Sequence, residues 1–478
     1  MRHISGAVTR IVIIGAGFSG SLTALHLLRA RGGANLEVVL IEQRASVARG
    51  LAYQCWDDNL LLNVPAGNMS ALADDPGHFL SYCRTVDPAF GPGSFVSRRI
   101  YGDYLEASLA EAVRNTPGRL VAVQDIALAL EPGAPDAAWR VQLASGAHLD
   151  AEEVVLALGH FPPLPPASIP AAALGACYIN DPWDFVALDR LPHDLPVLIL
   201  GSGHTAIDAL FRLTSASNQR KVILLSRRGL TPQGHRFAPT PPLRTGFPEH
   251  LARHVPGVRT YLRAVRERAA LRMREGGDWR DAINELRAHT PQIWASWPDA
   301  ERRRFLRHAV AFWDIHRHRL APSAFQRFEQ LQRSGKVRVI AGRVISCARE
   351  GSRLEVQYRP RGQAGPESLQ VGAIVNCSGP NYDLTRLDLP LVRQMLADGL
   401  LLQDPLKLGL EVGANYEVLD ARGRAQAHCH YVGPMLKAGL WEAIAAPELR
   451  GHTQRLADIL LDSLAPQPAP SVPSAPGA

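Results

Sequence analysis

Twice in this chain an apolar strand runs into a glycine-rich turn and then a helix, and that repeat constrains the fold more than any other feature. The first copy is Arg10-Ile11-Val12-Ile13-Ile14, then Gly15-Ala16-Gly17-Phe18-Ser19-Gly20, a helical pattern through Leu28 closed by Gly32-Gly33, and the strand Glu37–Ile41. The second is Val197–Leu200, then Gly201-Ser202-Gly203-His204-Thr205-Ala206, a helix through Leu213 and the strand Val222–Leu225. Strand, turn, helix and strand make the βαβ unit of a parallel sheet. The pattern predicts an α/β chain with two Rossmann-like dinucleotide-binding domains and, between later strands, an Arg-rich helical insertion.

Each glycine of the first turn has its own task. Gly15 makes the turn, Gly17 lets backbone approach a pyrophosphate, and Gly20 packs helix against strand. With Ala16, Phe18 and Ser19 they present free N–H groups and the positive end of a helix dipole to phosphates. Glu42 closes the next strand, where a carboxylate accepts from ribose hydroxyls and repels a 2′-phosphate, so this unit suits FAD or NAD. The second unit carries Ser226-Arg227-Arg228 at the matching place. Guanidinium forks suit a 2′-phosphate, so Gly201, Gly203, Ala206, Arg227 and Arg228 are expected to hold NADPH, with NADH left open. Two such sites in one chain imply hydride transfer from a nicotinamide to a flavin.

Composition narrows the class. With 46% hydrophobic and 20% charged residues in 478, the chain is globular, of about three domain-sized units, and neither disordered nor collagen-like. No run reaches the roughly 18 apolar residues of a membrane span. The apolar stretch within Met1–Leu28 is broken by glycines and reads as a first strand rather than a signal peptide. Six scattered cysteines without a CxxC encode neither a zinc ribbon nor a dithiol relay, and no metal site is expected. Free thiols point to a reducing compartment, so the cytoplasm is the expected location. The net charge of +7 lies entirely in residues 251–330, with 16 Arg, no Lys and 9 acids, a segment that draws anions.

The expected organisation is a first part of the FAD-binding domain over 1–165 and an NAD(P)-binding domain over 190–334 with its helical segment at 248–330. A second FAD-binding part follows over 335–464, and a proline-rich disordered tail over 465–478. Strands are predicted within 119–158 around a Ser145-Gly146 turn, followed by a proline-rich crossing at 161–166. Later strands are expected at 337–341, 353–358 and 374–376, and helices at 384–397 and 438–463.

Nearly the whole chain resembles bacterial FAD/NAD(P)-binding proteins related to flavin monooxygenases, a group that includes an FAD-dependent urate hydroxylase. The more specific matching stretches are Arg49-Gly50-Leu51-Ala52-Tyr53, Leu62–Ser70 and Leu440–Arg450; Arg98–Tyr104, Asp278-Trp279-Arg280 and Trp313–Arg319 also match. The resemblance implies that Tyr53, Asn63, Met69 and Ser70 lie along the FAD and that Ile126 turns its backbone amide toward the adenine; Gly159 is also expected among the FAD-binding residues. Gly433-Pro434 stands where many such proteins carry a Gly-Asp that holds the ribityl chain.

The leading function is a monooxygenase using FAD, NADPH or NADH, and O2, in which oxygen adds at the flavin C4a to give a hydroperoxide that hydroxylates a small organic substrate. Within the resemblance, urate to 5-hydroxyisourate is the specific expectation. A planar anion needs cationic donors and stacking surfaces, which places His235, Trp313, Arg317 and His318 in the substrate pocket; no catalytic triad is expected. Two other readings stand beside it: an NAD(P)H-dependent flavin reductase serving a quinone or protein, and a flavin-bearing sensor or RNA-binding module. The last would stack bases on the four Trp among the 16 Arg, although no RNA-binding motif is legible and nucleic acid is not an expected partner.

Overall fold

The computed structural model describes residues 8–30, 35–54, 57–116, 118–133, 137–215, 219–237 and 246–464. The Gly32-Gly33 helix end, Cys55 and the tail from Ala465 fall outside them.

Residues Ile11–Ile14 are buried on both faces, as the central strand of a parallel sheet must be. Thr9–Ile14 pairs in parallel with Leu36–Glu42 on one side and Glu153–Leu156 on the other. Among the described residues, the first sheet has six strands, completed by Arg119–Gln124 at one edge and by Ala425–Tyr431 and Glu417–Leu419 at the other. The helices Phe18–Arg29 and Ala446–Leu464 pack together over it. The first βαβ unit is therefore present, with the helix ending at Arg29. A separate three-stranded antiparallel sheet contains the Ser145-Gly146 turn, where Gly146 takes φ +88°.

The second sheet has seven described strands and is built around Val197–Leu200, which lies between Val222–Ser226 and Ala373–Asn376, all parallel. Val337–Glu350 pairs in parallel with Val222–Ser226 and then carries the antiparallel strands Arg353–Pro360 and Glu367–Val371. The division expected at 334/335 thus falls inside one sheet. Strands up to Asn376 stay in the second unit because their parallel neighbours are there, and the chain returns to the first sheet only later. The second unit also begins early, since Tyr178–Ile179 joins its edge.

The Arg-rich insertion leaves after Ser226 and returns at Val337, so it lies between two adjacent parallel strands. Its last helix, Pro322–Arg333, covers the second sheet. The others close around Trp294, Trp297, Tyr261 and Phe305, with Trp441 supplied by the first unit. All four tryptophans of the segment are buried or half-buried, which removes the stacking platform that the RNA-binding reading requires.

The helix expected over 438–463 begins only at Ala446. Glu442 has φ +77°, a left-handed conformation that no α-helix contains, so 438–445 forms a turn instead.

Gly20 is required by close packing: a Cβ there would collide with the carbonyl oxygen of Gly15. Gly15 itself has φ +104°, and its Cβ would lie 2.6 Å from the oxygen of Ala157. Gly20→Ala is expected to destabilise the protein by about 3 kcal/mol in urea denaturation, the upper range for overpacking.

Candidate functional site

The two glycine turns face one continuous cavity of about 1460 Å³ between the sheets. That exceeds the roughly 300–1,000 Å³ of a single small-molecule site. Its walls begin at the carboxyl ends of parallel strands, at Ile14, Glu42, Leu200, Ser226 and Asn376, where open α/β sheets bind ligands.

Both helices entering the cavity start without a side-chain cap. Gly17 precedes Phe18–Arg29 and Gly203 precedes His204–Leu213, and neither helix has its first N–H groups taken by a capping side chain. Other described helices also start without a side-chain cap, and what sets these two apart is that each follows a glycine turn lining the cavity. Unsatisfied N–H groups at a glycine turn form an anion site. At Gly17 a Cβ would stand 3.4 Å from the Gly50 Cα, at the floor of the cradle. These residues fit a dinucleotide at each turn.

Glu42 accepts from the backbone of Ala16 at 3.1 Å and of Arg44 at 3.2 Å, so its carboxylate also braces the turn. Of the residues expected beside FAD, Gly15, Gly17, Phe18, Ser19, Glu42, Tyr53, Asn63, Met69, Ile126 and Gly159 line the cavity. Ala16, Gly20 and Ser70 do not. Ser70 is buried, donating to the Asp75 carbonyl at 2.6 Å and accepting from the Leu72 amide at 3.1 Å. The Ile126 amide is already bonded at 2.7 Å to the Asp125 carboxylate.

At the second turn Gly201, Gly203 and Arg227 line the cavity, whereas Ala206 is buried under the helix. The two arginines part ways: Arg228 donates to the Arg307 carbonyl at 2.8 Å, at the end of helix Asp299–His308, and stacks on Phe312. Sequence reasoning passed over Arg343, which also lines the cavity from the strand next to Arg227.

Residues 12–161 match a family model described as FAD-NAD(P)-binding. A stretch of 267 residues is 29% identical to the L-aspartate N-monooxygenase (nitrosuccinate-forming) of Streptomyces davaonensis, covering 50% of this chain and 39% of that protein. The chain thus spans less than half the length of that relative. The fold is shared with the ornithine N-hydroxylase of Kutzneria sp. 744, solved with reduced FAD, NADP+ and L-ornithine (TM-score 0.65, 15% identity, 95% of this chain and 98% of that one). It is also shared with the L-lysine 6-monooxygenase of Pseudomonas syringae (TM-score 0.66, 17% identity, 95% and 99%).

The substrate-pocket expectations divide in a similar way. His318 lines the cavity. Trp313 and Arg317 do not line the cavity; both turn inward to Glu442. Trp313 donates to the Glu442 carboxylate at 2.7 Å, and Arg317 pairs with Glu442 at 3.1 Å and with Glu448 at 3.2 Å. His318 lies 3.6 Å from the same Glu442 oxygen. His235 does not line the cavity; it bonds the Asn63 carbonyl at 3.0 Å and packs at a tilt against Phe95, and burial lowers its pKa to about 3. It therefore secures the Asn63 loop as a neutral ring.

Burial pushes Glu442 up, but His318, Arg317 and the hydrogen bonds to His318 and Trp313 outweigh it and hold the carboxyl well below its ordinary value. Across the cavity Arg98 and Asp208 pair at 2.7 Å, joining helix Arg98–Arg114 of the first unit to helix His204–Leu213 of the second. Burial lifts the Asp208 carboxyl and Arg98 opposes that shift. Among the described residues no group of His, Cys, Asp and Glu could hold a metal, and no described helix is long and apolar enough to cross a membrane.

Glu442→Gln would leave Arg317 with one partner fewer in a buried setting, and should cost about 3 kcal/mol in chemical denaturation. A carboxyl depressed on folding stabilises the protein above its unfolded pKa, and that contribution is lost as pH falls through the folded value. The wild type should therefore lose stability in acid below the ordinary carboxyl range, and Glu442→Gln should lose less.

Proposed function

We propose that this protein is an FAD-dependent, NADPH- and O2-using monooxygenase that hydroxylates the nitrogen of a small amine. The observation that carries the reading is the pair of glycine turns, each at a helix start, opening into one cavity large enough for two dinucleotides. Similarity to an aspartate N-monooxygenase, and a fold shared with ornithine and lysine hydroxylases, favour nitrogen as the oxygenated atom.

When bound, FAD supplies hydride acceptance and oxygen activation. Gly15–Gly20, Glu42, Tyr53, Asn63 and Met69 would hold it, and Gly201, Gly203 and Arg227 would hold NADPH. The chain's own task is to orient the reactants and exclude water. His318, Asp314, His160, Tyr382 and Lys437 enclose one lobe of the cavity. An amine attacks only with its lone pair free, and Asp314 is the acid in this lobe that can take the ammonium proton. Burial raises its pKa, partly offset by His318 and Lys437, and so strengthens it as a base. Desolvation by the cavity walls and the charge of Lys437 lower the His160 pKa to about 4, and its ring bonds the Tyr382 hydroxyl at 3.0 Å.

The purine alternative, urate to 5-hydroxyisourate, loses support because Trp313 and Arg317 are committed to Glu442. Transfer to a quinone or protein acceptor remains the competing outcome.

Purified protein should be yellow and should oxidise NADPH faster with an amine among L-aspartate, L-ornithine and L-lysine than with urate, giving a product one oxygen heavier. Stoichiometric peroxide release with every compound, and no oxygenated product, would overturn the reading. Arg227→Ala should lower the NADPH-to-NADH ratio of kcat/KM by roughly tenfold through the lost phosphate contact, while Arg228→Ala leaves that ratio near wild type.

A further inference from the structure

Many arginines of the insertion are matched by acids, but one helix keeps a row that is not. Helix Val258–Arg274, 17 residues and about 25 Å long, buries Val258, Tyr261 and Ala264 and pairs Arg268 and Arg272 with Glu285. On its outer side Arg259, Arg263, Arg266 and Arg274 are exposed, and among the described residues none of them meets a carboxylate. Three- and four-residue steps set them on one face, where like charges weaken a helix. The adjoining helix Asp299–His308, tied on by the bond from the Val258 amide to Glu301 at 2.8 Å, adds Arg303 and Arg307, exposed and likewise unmatched.

At about 100° of turn per residue, the four arginines occupy the middle of the exposed arc. Leu262, 45% exposed, and Met273, 59% exposed, share one margin of it. A helix that enters a membrane surface carries the reverse order, an apolar centre with basic flanks, so a bilayer would meet this face charge first. Arg and Met are together enriched at protein interfaces. A partner helix with carboxylates at the same steps would face the arginines in register while its apolar residues cover Leu262 and Met273. This chain has no such element to offer. No described helix exposes three carboxylates, and the segments outside the described residues contain one acid, Asp136.

We propose that the outer face of helix Val258–Arg274 is a docking surface for a second protein, which lays an acidic helix along Arg259, Arg263 and Arg266. The inference is independent of the reaction that the cavity carries out.

The test uses the full chain and a fluorescein-labelled helical peptide of alanine and leucine with its glutamates on one face. A scrambled peptide of equal composition is the control, and binding is read by fluorescence anisotropy near physiological salt. Wild type should bind the one-faced peptide about tenfold more tightly than the scrambled one, and binding should weaken as salt rises. Arg259→Gln/Arg263→Gln/Arg266→Gln should bind it about tenfold more weakly, as loss of three exposed ion pairs implies. The triple Arg→Lys variant should keep most of the affinity. Arg338→Gln/Arg359→Gln/Arg361→Gln, which removes as much exposed charge from the second sheet, should match wild type. The inference fails if wild type binds neither peptide, if it binds both equally, or if the triple Gln variant binds as wild type does. It also fails if phosphatidylglycerol vesicles or duplex RNA displace the peptide at that salt, or if light scattering shows that this face instead joins two copies of the chain.

Discussion

A carboxylate with 2% exposure stays ionised only when several donors converge on it, and the architecture around Glu442 follows from that requirement. Glu442 stands on a left-handed residue of the first unit's C-terminal turn, while Trp313, Arg317 and His318 come from the insertion in the second unit. The same seam contains the stacked pair Trp294–Trp441 and the bond from Trp294 to the Ala438 carbonyl at 2.8 Å. Two units that each carry a glycine cradle are thereby held so that both cradles open into one space. His318, at the end of its helix, contacts Glu442 and faces the cavity, and its carbonyl accepts from His204 at the second glycine turn.

The insertion's positive charge acquires a different meaning in this setting. Read along the chain it suggests a surface for anions, but much of it is spent internally. Arg268 and Arg272 meet Glu285, Arg236 meets Asp281, Arg287 meets Glu448, and Arg302 donates to the Trp294 carbonyl at 3.1 Å. Arginine suits this work because its planar fork keeps several directional bonds when partly buried. The Arg98–Asp208 pair does the same on the opposite wall. The cavity is therefore framed in part by fixed charge pairs.

Within the chain, the parts governed by neighbours a few residues away were legible. The two βαβ units, the turn glycines and the place of Glu42 at the end of its strand depend on local periodicity, and all are present as read. What failed depended on long separation. The domain division was misplaced because sheet membership of Val337–Glu350 is decided by pairing with Val222–Ser226 across the whole insertion. The helix at 438 was misread because its apolar spacing hides a left-handed Glu442.

Sequence alone determined that two strand, glycine-turn and helix units exist, since glycine conformations and strand-to-helix turns are set by steric rules within a few bonds. Only the tertiary structure decided which polar side chains reach the cavity. Trp313 and Glu442 lie 129 residues apart in the chain, and Arg227 and Arg228, adjacent in sequence, point to different places. Side-chain direction depends on which buried charge needs a partner, and such partners are found only once the chain has folded.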